Sequence, residues 1–216
     1  VFLGGQGAPL VPIGDKILFS NYTNRINLGG FANISFEKEG ETLAFDICPF
    51  NIPFNFLSSK TGNTFDEGGK LAAKGKINQD LLEKLNGLEY YYSPLPKSLG
   101  REWYDLFFAP IVEQSPISDI DKLRTLSEHF AVQIAGSFIE GDVLVTGGGA
   151  YNKFLIDRVK SLTTNRIIIP DEKLINYKEA LIFALLGLLR LNHKTNTLKS
   201  VTGAQKNHCG GAIYLP

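Results

Sequence analysis

The stretch Val-Leu-Val-Thr-Gly-Gly-Gly-Ala-Tyr-Asn at residues 143–152 constrains this chain more than any other. Its first four residues are apolar and β-branched enough to read as a short buried strand. Three glycines follow, and then a segment with helical character. A strand that runs through glycines into a helix ends at free helix N–H groups, with no side chain to block the approach of an anion. This is a geometry for nucleotide binding. It is neither a Walker A loop, since no Gly-Lys-Ser/Thr follows, nor the dinucleotide fingerprint, since the GxGxxG spacing is absent. A purely structural turn uses glycine in the same way.

The remaining pattern extends this unit to an α/β arrangement with a mixed sheet. Residues 16–19, 25–28, 33–36 and 42–46 read as strands, the last three forming an antiparallel meander with Gly29 and Gly30 in its first turn. Residues 52–61, 67–74, 79–85 and 101–113 read as helical, and residues 89–100 as a Tyr- and Pro-rich loop. The strongest helix covers 119–139. There Ile120, Leu123, Leu126, Phe130, Ile134 and Phe138 recur at steps of three and four, behind Ser118 as N-cap and ahead of Gly141 as terminator. A helix to about residue 162, a strand in Arg-Ile-Ile-Ile-Pro and a helix over 176–191 follow. The chain closes on a glycine-rich loop and a last short strand, Ala-Ile-Tyr-Leu-Pro. The apolar run 180–191 is too short to cross a membrane and is expected to be a buried helix.

Charge narrows the function. The chain has 22 Lys+Arg and 22 Asp+Glu in 216 residues, so its zero formal charge gives no electrostatic case for nucleic acid or an acidic membrane surface. Cys48 and Cys209 stand alone, in no metal-ligand spacing, as expected of reduced thiols in a cytoplasmic protein. There is no Met, and the chain opens within what reads as structure, as a piece of a longer protein would.

Three places can carry chemistry. Gly29 and Gly30, within Asn27-Leu-Gly-Gly-Phe-Ala-Asn33, let backbone N–H groups come close to an anion, or serve a tight hairpin with positive φ. Asp46 follows an apolar strand, where a carboxylate acts as a base or meets a metal-bound phosphate, or caps the helix that starts near residue 52. The glycines at 147–149 are the third place. Glu179 is the one acid on a strongly apolar helix, either a ligand contact or an N-terminal acid favoured by the helix dipole. His129, His193 and His208 do not cluster. Trp103 and the tyrosines at 90–92 suit a sugar face or a packed loop.

GGQGAPLVP, NLGGFANIS, AFD-x-x-P-x-N, KSLGRE, TGGGAYN, EALIFALLG and the closing SVTGA…GGAIYLP occur in this order from Gly4 to Pro216. In this series the chain resembles the anhydro-N-acetylmuramic acid kinase family, of the actin-like ATPase and sugar kinase superfamily. The resemblance implies an actin-like, ribonuclease H-like domain over residues 25–216, with residues 1–24 as an inter-domain cleft segment. It implies ATP and Mg²⁺, a small-molecule sugar substrate, room for a homodimer, and no nucleic-acid or membrane partner. It makes Gly29, Gly30 and Asn33 part of the second phosphate hairpin, and Gly147, Gly148, Gly149 and Asn152 the adenosine-side loop. Asp46 matches the catalytic base and Glu179 the sugar-contacting acid. Gly5 and Gln6 fall in the motif nearest the cleft.

The family's usual Asp-Thr-Gly-Pro-Gly-Asn is here Asp46-Ile-Cys-Pro-Phe-Asn51, and a further family Asp is Asn55. The family's first phosphate loop and an arginine–histidine segment, which normally precede GGQGAP, are not in this chain. The expected reaction opens the 1,6-anhydro bridge and phosphorylates O6. An actin-like kinase for another amino sugar, or a nucleotide-binding remnant without catalysis, fits the same glycine loops.

Overall fold

The structure is a computed structural model describing residues 3–5 and 9–214. It is built on one five-stranded sheet of order β3-β2-β1-β4-β5. The first helix, α1 (Val11–Leu18), carries Pro12 in its opening turn and leads into β1 (Asn24–Leu28), β2 (Phe31–Lys38) and β3 (Glu41–Pro49). These three strands form the expected antiparallel meander. Next come α2 (Asn51–Lys60), two single 3₁₀ turns at Glu67–Gly69 and Ala72–Lys74, and α3 (Gln79–Asn86). α4 (Arg101–Trp103) and α5 (Ala109–Gln114) flank a π turn at Tyr104–Phe108. α6 (Asp119–Gly136) delivers the chain to β4 (Val143–Thr146), which lies parallel to β1. α7 (Lys153–Ser161) crosses to β5 (Ile167–Ile168), parallel to β4, and α8 (Glu172–Leu191) and α9 (Lys199–Thr202) complete the order.

Strand alternation splits the core in two. Ile26, Leu28, Ile34, Phe36, Val143 and Val145 face α2, α3, α6 and α7, where Phe50, Phe54, Phe108 and Phe130 pack together. Leu144 points to the other face and meets Ile13 and Phe19 around α1 with Ile182 and Leu186 of α8. Ser118 caps α6 as its position predicts, its side chain accepting the Asp121 N–H.

The structure corrects several expectations. Residues 16–19 belong mostly to α1 and form no strand, because Pro12 presets the first helical turn and Ile13 is buried against α8. The segment 67–74 holds 3₁₀ turns, broken by left-handed Gly68 and Gly69. α6 ends at Gly136 rather than near Gly141. Residues 212–214 form no strand, and 215–216 lie outside the described residues. α8 begins four residues earlier than its periodicity suggests, and only one side of it is buried. Leu188 is 57% and Leu191 65% exposed, on a stripe shared with Tyr177 and Leu181.

Candidate active site

A cleft of about 850 Å³ opens over the ends of β1, β2 and β4. Gly29, Asn33, Asp46, Gly147, Gly148 and Glu179 all line it. Positions up to 150 residues apart in the chain are therefore brought to one cavity by the sheet order. Gly30 lies outside the lining, and its carbonyl accepts the Phe50 N–H at 2.8 Å while that of Gly29 accepts the Asn51 N–H at 3.1 Å. With both carbonyls engaged at the start of α2, Gly29 has its N–H to offer the cleft. Neither Gly29 nor Gly30 takes a positive φ, so the left-handed hairpin is not the reason for this pair.

The 147–149 glycines differ in purpose. Gly147 has φ of 81°, and a Cβ there would stand 2.6 Å from Asn27 Oδ1 and 2.9 Å from the Leu28 backbone. Gly149 is buried behind the cleft, where a Cβ would lie 2.2 Å from Phe50 Cε1 and 2.6 Å from Leu28 Cβ. Gly148 is open, its nearest non-local atom being Asn51 Nδ2 at 3.9 Å from such a Cβ. Asn152 does not line the cleft. It caps α7, its Oδ1 accepting the Leu155 N–H at 3.1 Å.

Asp46 sits inside β3, not at its end, and α2 has no side-chain cap, so the capping role is excluded. A β-bulge sets its direction. Ala32 pairs with Cys48, yet Asn33 pairs with Asp46, leaving Ile47 as the extra residue. Regular pairing would place Ile47 opposite Asn33; the bulge sends Ile47 into the core and brings Asp46 onto the cleft face beside Asn33. Burial pushes the Asp46 carboxyl above its ordinary range, and the Leu99 N–H, donated to Oδ2 at 2.8 Å, partly opposes that shift. The variant residues beside it are core: Cys48 and Phe50 are fully buried.

Glu179 is exposed in the second turn of α8, past the first-turn position that the helix dipole alone would explain. Gly4 lines the cleft, whereas Gly5 is buried against Thr202 and Ala204. Gln6 lies outside the described residues. His129 is wholly buried between Tyr91 and Asn86. Burial lowers its pKa to about 3, so it is a neutral core imidazole.

Two features carry little sequence signal. The Lys178 ammonium stands 2.7 Å from Asp15 Oδ1, both side chains almost entirely buried, and Ser35 donates to Asp15 Oδ2 at 2.9 Å. Arg25 donates to Ser35 at 3.3 Å and joins this floor to Glu37. The second feature is the 89–100 segment, which reaches Asp46 through Tyr90, whose hydroxyl donates to the Asp46 carbonyl, and through Leu99. Three or more metal-ligating side chains gather nowhere among the described residues. No helix among them is long and apolar enough to cross a membrane.

A mixed α/β sheet with glycine turns, and with Asp46 and Glu179 converging over its strand ends, defines the class as a cleft-bearing α/β domain. The family model for anhydro-N-acetylmuramic acid kinase matches residues 1–216, and the chain belongs to that family. Anhydro-N-acetylmuramic acid kinases of Aliivibrio fischeri and Gloeobacter violaceus are each 35% identical to it, over 98% and 93% of this chain and 62% and 58% of their own length. That of Saccharophagus degradans is 33% identical over 100% of this chain and 62% of its own. The chain thus spans about three fifths of these relatives. Among solved structures, component A of (R)-2-hydroxyglutaryl-CoA dehydratase from Acidaminococcus fermentans aligns at a TM-score of 0.48 and 15% identity, covering 80% of this chain and 63% of that one.

Proposed function

We propose that this chain is the base-bearing domain of a cytoplasmic, ATP-dependent kinase that opens the 1,6-anhydro bridge of anhydro-N-acetylmuramic acid and phosphorylates O6. The observation that carries the reading is the convergence of Asp46, Asn33, Gly29, Gly147, Gly148 and Glu179 on one cleft. The names of the relatives supply the substrate.

In this reading Asp46 takes the proton of the water that attacks C1, while the freed O6 attacks the γ-phosphate. A carboxylate whose pKa is raised by burial is a stronger base than an exposed one. The Leu99 N–H occupies Oδ2, which leaves Oδ1 to receive the proton. Gly29 presents its N–H to the phosphates, and open Gly148 admits the nucleotide beside Gly147, whose position has no room for a side chain. Glu179, across the cleft, orients the sugar hydroxyls. When bound, Mg²⁺ neutralises phosphate charge. With no cluster of three metal-ligating side chains among the described residues, the cation is expected to arrive on the phosphates rather than in a protein cage.

Asp46→Asn in the native protein tests the reading. Turnover on 1,6-anhydro-N-acetylmuramic acid at saturating ATP should fall about 10²–10⁴-fold, the usual effect of losing a positioned base. Binding of both substrates should persist. Near-normal turnover in a folded variant would sink the assignment and leave a nucleotide-binding domain.

A further inference from the structure

The segment between α3 and α4 runs as a strap over β3, and two of its ties, from Tyr90 and Leu99, reach Asp46. At its base, the Tyr91 hydroxyl bonds to His129 Nε2 at 2.9 Å, and His129 Nδ1 lies 2.6 Å from Asn86 Oδ1. An amide oxygen only accepts, so Nδ1 carries the proton and Nε2 accepts from Tyr91. Tyr90 donates to the Asp46 carbonyl, which fixes the backbone of the acid. At the far end, Leu99 donates to the Asp46 carboxylate at 2.8 Å.

Lys97 joins the two ends. Its ammonium donates to the Tyr90 carbonyl at 3.0 Å and the Tyr91 carbonyl at 3.3 Å, and it lies 4.7 Å from the centre of the Tyr90 ring and 5.7 Å from that of Phe45. A charged donor on two carbonyls makes stronger bonds than a neutral one, and aromatic faces on the same cation add to its hold. Lys97 is two residues from Leu99, while Tyr90 touches the backbone of Asp46 itself. Closing residue 97 onto residues 90 and 91 therefore sets where the Leu99 N–H arrives.

We infer that Lys97 is a positioning residue for Asp46: it cinches the strap so that the Leu99 N–H holds Oδ2 and turns Oδ1 toward the bound sugar. The inference rests on the reading of Asp46 as the base, and its test separates the two. Lys97 needs no contact with substrate for this role. It acts through Leu99. That burial lowers its pKa agrees with a cation drawn in among rings and carbonyls rather than one extended into solvent.

The experiment compares Lys97→Met and Lys97→Arg in the native protein with two readouts. One is the Leu99 amide proton in the NMR spectrum, which a hydrogen bond to a carboxylate moves downfield. The other is kcat against KM for ATP and 1,6-anhydro-N-acetylmuramic acid. Lys97→Met should lose the downfield position of Leu99 and drop kcat about 10²-fold, the effect of a misplaced catalytic group, with both KM values within a few-fold. Lys97→Arg, which keeps charged donors for both carbonyls, should retain most of each. An unmoved Leu99 amide in Lys97→Met overturns the inference. A displaced amide with normal kcat upholds the strap and overturns the role of Asp46 as base. A rise confined to the KM for one substrate, with kcat unchanged, overturns the inference in favour of direct contact with that substrate. Should Lys97→Met not fold, Lys97→Gln carries the same two readouts, and no change in either again overturns it.

Discussion

The glycine edge of the cleft and its Asp46 edge face the same space but are held by different bonds. At the glycine edge, residues 29 and 147–149 act through backbone: their carbonyls are taken by neighbouring N–H groups, and their missing side chains are the functional property. At the Asp46 edge, and on the floor beneath it, side chains do the holding. Tyr90, Lys97, Asp15, Lys178 and Ser35 each reach across elements to fix one another. A backbone wall answers to steric volume at each position. A side-chain wall answers to charge and to donors placed far away in sequence.

Breaking the floor should have the largest effect on stability. Lys178→Met leaves Asp15 as a buried charge with Ser35 alone, and removal of one member of a buried pair costs about 3–5 kcal/mol. Urea unfolding should show that loss, and adding Asp15→Asn should restore most of it. A single-variant loss below about 1 kcal/mol, the level of a surface pair, would mean that the pair is not buried in solution.

On the backbone wall, Gly149→Val forces a side chain into Phe50 and Leu28 and should cost about 1–3 kcal/mol by overpacking. Thermal melts of Gly149→Val and Gly148→Leu sharpen the contrast. The second should melt with the parent, because position 148 is open, yet weaken ATP binding roughly tenfold, about 1.4 kcal/mol. Unchanged ATP affinity in folded Gly148→Leu would remove the nucleotide from that wall.

The smallest effect expected is a pH-dependent one at Asp46. Its folded pKa is raised by burial, so folding favours the protonated acid. Its contribution to stability is complete below the unfolded pKa and is lost as pH rises through the folded one. Asp46→Asn should therefore melt slightly above the parent at neutral pH, with the difference closing as the solution is acidified. Glu128 is the opposite case: Arg158 first, then Arg124, hold its pKa down, so its contribution is present at neutral pH and fades as pH falls through that lowered value. A melt of Asp46→Asn that tracks the parent at every pH would show that the acid is not desolvated.

The meander, the strand–glycine–helix unit and α6 were legible because periodicity and glycine content report directly on strands, turns and helix faces. Asp46 was legible as an acid beside a strand, but not its direction. The bulge at Ile47 depends on how β2 and β3 pair, which neither strand states alone. Leu99 was silent because it acts through its N–H, which every residue but proline has. Lys178 carries no sequence signal of its own; its burial comes from its pairing with Asp15 of α1. The first helix is hidden for a related reason: Ile17, Leu18 and Phe19 look like a short strand until α8 supplies a partner for Ile13. The apolar content of 180–191 predicted burial on all sides, but the described residues cover only one face.

The contact between Phe50 and the empty side-chain position at Gly149 also has a historical meaning. A ring fills the volume that a small residue at 50 would leave, and that ring lies where any Cβ at 149 would go. The two positions are therefore not free to vary independently, and the effects of changing them cannot simply add. A lineage that acquires the ring must already have glycine at 149. Once the ring is in place, drift at 149 is closed, and a small residue at 50 would still leave Leu28 Cβ in the way.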